Sequence, residues 1–122
     1  MQFMMRDLCA IMRIGQLLIG QSDNPQNEAA AKKLVYGLAA FLDPENMETA
    51  VRMSGFLDFN TSAAALTTLG DEELEWAKDL LYEVATTNVE LNDTQRAIFD
   101  NLIDLYWQNQ PADDDGRYDF EI

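Results

Sequence analysis

Apolar positions along this chain return every third or fourth residue, the period of an α-helix. No segment alternates with the period of two that a half-buried strand requires. In the first segment Met4, Leu8, Ile11, Met12, Gly15, Leu18 and Ile19 fall on one face. "QSDNP" closes it, and Asn24 followed by Pro25 has the form of an N-cap and a first helical residue. The next helix places Ala30, Leu34, Leu38, Phe41 and Leu42 on one stripe. "LDPEN" repeats the grammar: Asp43 caps, Pro44 starts, and a third helix turns Met47, Val51 and Met53 inward.

After the break "GFLDFN", "TSAAALTTL" reads as a short helix with Ala63, Leu66 and Leu69. A longer helix over about 72–87 presents Leu74, Ala77, Leu80, Leu81, Val84 and Ala85. Asn92 and Gln95 form a capping box for a last helix over about 93–108. That helix turns Ile98, Leu102, Leu105 and Tyr106 inward, with Phe99 and Ile103 flanking. The pattern predicts an all-α fold, a compact bundle of about six helices forming one domain over residues 1–108.

The remainder, 109–122, has no period and reads as an acidic, flexible tail. An alternative is a docking peptide, since Tyr118, Phe120 and Ile122 alternate with acids.

Composition narrows the chemistry. The chain has 122 residues, 48% of them hydrophobic, which suits one folded domain and excludes wholesale disorder. It contains no histidine, which removes the commonest general base and metal ligand. The single Cys9 excludes an internal disulfide or a CxxC pair, and its place beside the first apolar stripe makes it a core residue. No Gly-rich phosphate loop is present, and no feature draws two carboxylates into a dry cleft as acid and base. The expectation is a protein that is not an enzyme and needs no cofactor.

The formal net charge is −14, spread unevenly: −2 over residues 1–70, −8 over 71–108 and −4 over 109–122. Such a field repels nucleic acid and anionic membrane, so neither is an expected partner. It favours a protein partner, particularly a basic one. Arg6, Asp7 and Arg13 interrupt the apolar N-terminal run, which is too short to span a bilayer. The expected location is the cytoplasm.

Two sets of acids are candidate sites. Asp71, Glu75, Asp79 and Glu83 recur every four residues and stack along one helix face, where like charges repel by a few tenths of a kcal/mol per pair. A solvated outer face and a docking site for a basic partner both account for them. The second set lies near the turns. In "VATTNVELNDTQ", oxygen-bearing side chains stand at Asn88, Glu90 and Asn92. An EF-type calcium loop would need Gly at its sixth position and Glu at its twelfth; Asp93 and Phe99 stand there instead. A structural turn between helices accounts for the stretch, with a divalent-cation site as the alternative.

The order of elements adds a resemblance. "IMRIGQLLIGQSDNPQNEAAAKKLVYGL" and "LLYEVATTNVELNDTQRAIFDNLIDLY" each run from an apolar helix through a polar turn into a second helix. Between them, "MSGFLDFNTSAAALTTLGDEELEWAKDLL" supplies a short helix and one that opens with acids. Over about residues 6–107 this resembles the tellurite-resistance TerB-like family, all-α domains of two similar helical halves whose acidic turns are implicated in metal binding. The resemblance implies a shared fold. It carries the metal role to Asp23 and Glu28 in the first half and to Glu90 and Asp93 in the second. Asn88, Val89 and Gln95 replace the family's Asp, Gly and Glu, which implies a degraded ion site.

The readings that remain are a TerB-like interaction or stress-associated module, an acidic inhibitor, immunity protein or nucleic-acid mimic, and a metal-binding domain. An interaction module should expose an apolar patch or groove.

Overall fold

The computed structural model describes residues 1–106, with side chains through Asp104. Six α-helices follow in order: α1 (Met5–Gly20), α2 (Glu28–Leu38), α3 (Pro44–Ser54), α4 (Phe59–Leu66), α5 (Asp71–Ala85) and α6 (Asp93–Asn101). A π-helical turn, Leu102–Tyr106, continues α6. Among the described residues there is no strand, so the all-α bundle is the fold. The expected tail and Trp107 lie outside the described residues, as do the side chains of Leu105 and Tyr106.

α1 is the central element and packs against α2, α3, α4 and α5. Its apolar stripe is wide: Leu8, Cys9, Ala10, Ile11, Met12, Ile14 and Leu18 are all buried, so the helix meets neighbours on more than one side. Gly15 lets α2 approach, because a Cβ there would stand 2.7 Å from a Leu34 methyl. Gly37 does the same for α2 against α5, where the clash would be with Leu80. The six inward positions expected of α5 are the six it buries.

The N-terminal segment is held by rings and one hydrogen bond. Phe3 lies 4.8 Å from Phe41 and 5.3 Å from Trp76, centroid to centroid, and Phe41 meets Trp76 edge-on. The Gln2 amide donates to the Glu73 carboxylate, which lowers the Glu73 pKa. Trp76 thus packs at the edge of the core. Asp7 closes α1 by accepting the Met4 amide at 3.0 Å.

Several local expectations are corrected. α2 begins at Glu28 with Asn27 as its N-cap, three residues later than the Asn24–Pro25 signal indicated. The Asn27 amide donates to the Asn24 carbonyl, so Pro25 occupies the second position of a β-turn, which needs the same φ as a first helical turn. α3 buries Ala50 and Ser54 and leaves Val51 and Met53 exposed. Small residues allow α3 to lie close on α1, and the Ser54 hydroxyl is occupied, accepting from Gln16 and donating to the Val51 carbonyl. α4 starts earlier than expected, at Phe59, because the Asp58 carboxylate accepts the Thr61 amide. Met4 and Ile103 are exposed, and regular α-geometry in the last helix ends at Asn101.

Candidate functional site

The two inter-helix turns pack against each other. Each runs seven residues from the end of one helix to the cap of the next, Gln21 to Asn27 and Thr86 to Asn92. Asn27 accepts the Ala30 amide through Oδ1 and donates through Nδ2 to the Thr87 carbonyl at 2.6 Å. Asn92 accepts the Gln95 amide through Oδ1 and donates through Nδ2 to the Gln21 carbonyl at 2.8 Å. Each cap therefore closes its own helix and also binds an end carbonyl of the other half. Such carbonyls lack intrahelical donors.

Gln95 extends the contact inward. It is fully buried, accepts the Asn92 amide at 3.0 Å and donates Nε2 to the Leu18 carbonyl in the last turn of α1 at 2.8 Å. Asn88 has φ +59°, a left-handed conformation that asparagine tolerates better than most residues. These groups complete a two-sided structural joint.

The four carboxylates expected near the turns do not gather. Asp23, Glu28, Glu90 and Asp93 are all exposed. Asp23 comes within 3.2 Å of Asn92 Nδ2, a donor, and Glu28 and Asp93 each begin a different helix. Among the described residues no three carboxylate or thiol side chains form a group able to hold a metal ion.

The acids of α5 are placed differently. Asp71, Glu75, Asp79 and Glu83 are all exposed along one helix, while its other side is locked into the core by Leu74, Ala77, Leu81 and Val84. Four residues advance a helix by about 400°, so from Asp71 to Glu83 the stripe winds by about 120° around it over about 18 Å. Lys78 stands 3.9 Å from Glu75, an exposed contact of small weight. Beside the C-terminal end of the stripe, between α2 and α5, Ala29, Lys32, Lys33, Tyr36, Gly37, Leu80 and Glu83 line an open hollow of about 580 Å³. Tyr36 is 74% exposed there, and Tyr82 is exposed on α5.

A second depression lies between α1, α3 and α4. It is a groove of about 560 Å³ with an almost wholly apolar lining. Phe56, 86% exposed, stands beside Leu57, one of the lining residues. Cys9 also lines the groove, and burial raises its thiol pKa, which keeps it protonated and unreactive near neutrality. Sequence reasoning missed this groove, because Met53 reads as a core residue and Arg6 as an interruption of an apolar run.

The class defined by this geometry is an all-helical bundle whose two helix–turn–helix halves are joined through their caps. The chain matches no family model, no curated protein and no solved structure. Among the described residues no helix is long and apolar enough to cross a membrane.

Proposed function

We propose that this protein is a non-enzymatic, TerB-like helical module that binds a basic protein segment on the face formed by α5 and the adjoining edge of α2. The observation that carries this reading is the exposed stripe of Asp71, Glu75, Asp79 and Glu83 on a helix packed into the core, whose C-terminal member Glu83 lines an open hollow together with Tyr36. A basic segment would meet its charge complement along the stripe. An apolar side chain of that segment would enter the hollow beside Tyr36 and Leu80. The matched turns, each seven residues long and each capped by an asparagine that reaches the other, support the TerB-like reading. A cytoplasmic setting belongs to the same proposal.

The test is a pull-down from the native host at low and moderate salt, comparing the natural protein with Glu75→Lys/Asp79→Lys and with Tyr36→Asp. A specific partner should be retained by the natural protein, lost at higher salt and lost in both variants. Equal retention by all three proteins would reject this face as the binding surface.

A second reading is favoured by the length of the stripe. As an inhibitor or nucleic-acid mimic, the same acids would occupy a basic site on an enzyme. The retained partner would then be an enzyme whose activity falls on binding.

A further inference from the structure

We infer that the basic segment this face receives is α2 of a second copy of the chain, the two copies pairing about a two-fold axis at the hollow between α2 and α5; this choice of partner rests on the reading of that face as a docking surface. α2 lays Ala29, Lys32, Lys33, Tyr36 and Gly37 along the hollow, the i, i+3, i+4 spacing of one helix face. Gly37 and Leu80 fix the approach of the two helices there, since a Cβ at Gly37 would stand 2.7 Å from a Leu80 methyl. Tyr36, the next residue, is 74% exposed. A projecting ring and a hollow therefore lie side by side on one face, the self-complementary arrangement that a two-fold contact requires. In such a pair each Tyr36 enters the hollow of the other copy, and tyrosine is among the residues that most often anchor interfaces.

Charge selects the second copy over a foreign basic segment. Lys32 and Lys33 stand on the α2 side of the hollow and Glu83 on the α5 side, with Asp79 exposed one turn before it. Among the described residues neither lysine has an acid within ion-pair distance, and neither acid has a cation within it. A uniformly basic segment would meet the acids of α5 but be repelled by the lysines of α2. A copy turned about a two-fold axis instead sets Lys32 and Lys33 against Asp79 and Glu83 in both halves of the contact. The net charge of −14 repels a second copy at long range. At about 0.15 M salt that repulsion is screened beyond about 8 Å, while pairs in contact persist.

The test is sedimentation equilibrium of the purified full chain at about 0.15 M salt. A reversible monomer–dimer equilibrium is expected. Tyr36→Asp should weaken it at least tenfold. So should Lys32→Glu/Lys33→Glu and Asp79→Lys/Glu83→Lys, each of which sets like charges against each other. Mixing those two charge-reversed chains should restore a dimer holding one of each, a result that loss of structure cannot produce. Circular dichroism establishes that each variant is folded. A monomer at every concentration up to about 1 mM would overturn the proposal. A dimer that survives Tyr36→Asp and both reversals would also overturn it, because the contact would lie elsewhere, as would a mixture that stays monomeric. Failure of the second copy is distinct from failure of the face. A foreign basic protein captured by the natural chain, and captured more strongly by Lys32→Glu/Lys33→Glu, would keep the face and overturn the second copy as its occupant.

Discussion

Asn27 and Asn92 occupy equivalent places in the two halves of the bundle, and each reaches out of its own turn to a carbonyl in the turn of the other. Each amide uses its oxygen as a helix cap and its nitrogen as a bridge. The joint thus ties residues about 60 to 70 positions apart with groups that the helix ends would otherwise leave unpaired.

Replacing Asn92 separates the two roles. Asn92→Ala loses the cap and the bridge and should destabilise the fold by about 2–3 kcal/mol. Asn92→Asp keeps an acceptor for the Gln95 amide but cannot donate to Gln21, and it places a second carboxylate beside Asp23. It should cost about 1–2 kcal/mol, less than the alanine variant. Urea denaturation of the three proteins measures both values; an aspartate variant as stable as the natural protein would mean that the bridge adds nothing beyond the cap.

Gln95→Leu preserves approximate size while removing both hydrogen bonds of a buried amide. The Asn92 amide and the Leu18 carbonyl are then left without their partner, and the expected cost is about 2–4 kcal/mol. Hydrogen exchange adds a local readout, since protection should fall first at the end of α1 and at the start of α6. A neutral effect on both measurements would contradict the role assigned to Gln95.

Phe3→Ala should release the N-terminal segment from Phe41 and Trp76 at a cost of about 1–2 kcal/mol, reflecting a half-buried ring and its edge contacts. In a Trp107→Phe background, Trp76 emission should move to the red as the indole gains water. An unchanged spectrum would show that Phe3 does not cover Trp76 in solution.

Acid should weaken the start of α4 through one carboxylate. The Thr61 backbone and side chain hydrogen-bond to Asp58 and hold its pKa below the ordinary value of 3.8. A depressed folded pKa means that the contribution is whole above the unfolded value, about pH 4, and is lost as pH falls through the lower folded value. Asp58→Asn should therefore have a shallower loss of stability below about pH 4 than the natural protein, with parallel curves at higher pH. Thermal melts between about pH 2 and 7 give the comparison, and identical acid limbs would exclude this carboxylate as a contributor.

What could be read from sequence was local. The buried stripe of α5, the caps at Asp43 and Asn92 and the helical class all follow from periodicity and from side chains within a few residues of one another. The candidate surface was legible to the same extent. The spacing of Asp71, Glu75, Asp79 and Glu83 placed four acids on one helix, whereas nothing in their order announced the hollow contributed by α2.

The chain by itself determined that apolar stripes must be hidden by packing helices, and that its negative charge would be densest over residues 71–108. Only the tertiary structure decided between Asn24 and Asn27 as the start of α2, because both are competent caps and the choice rests on a distant carbonyl at Thr87. It also decided that α3 would bury Ala50 and Ser54 and leave Met53 at a groove. The reason is common to both cases. Alternatives that differ locally by a kcal/mol or less are settled by what lies across the core.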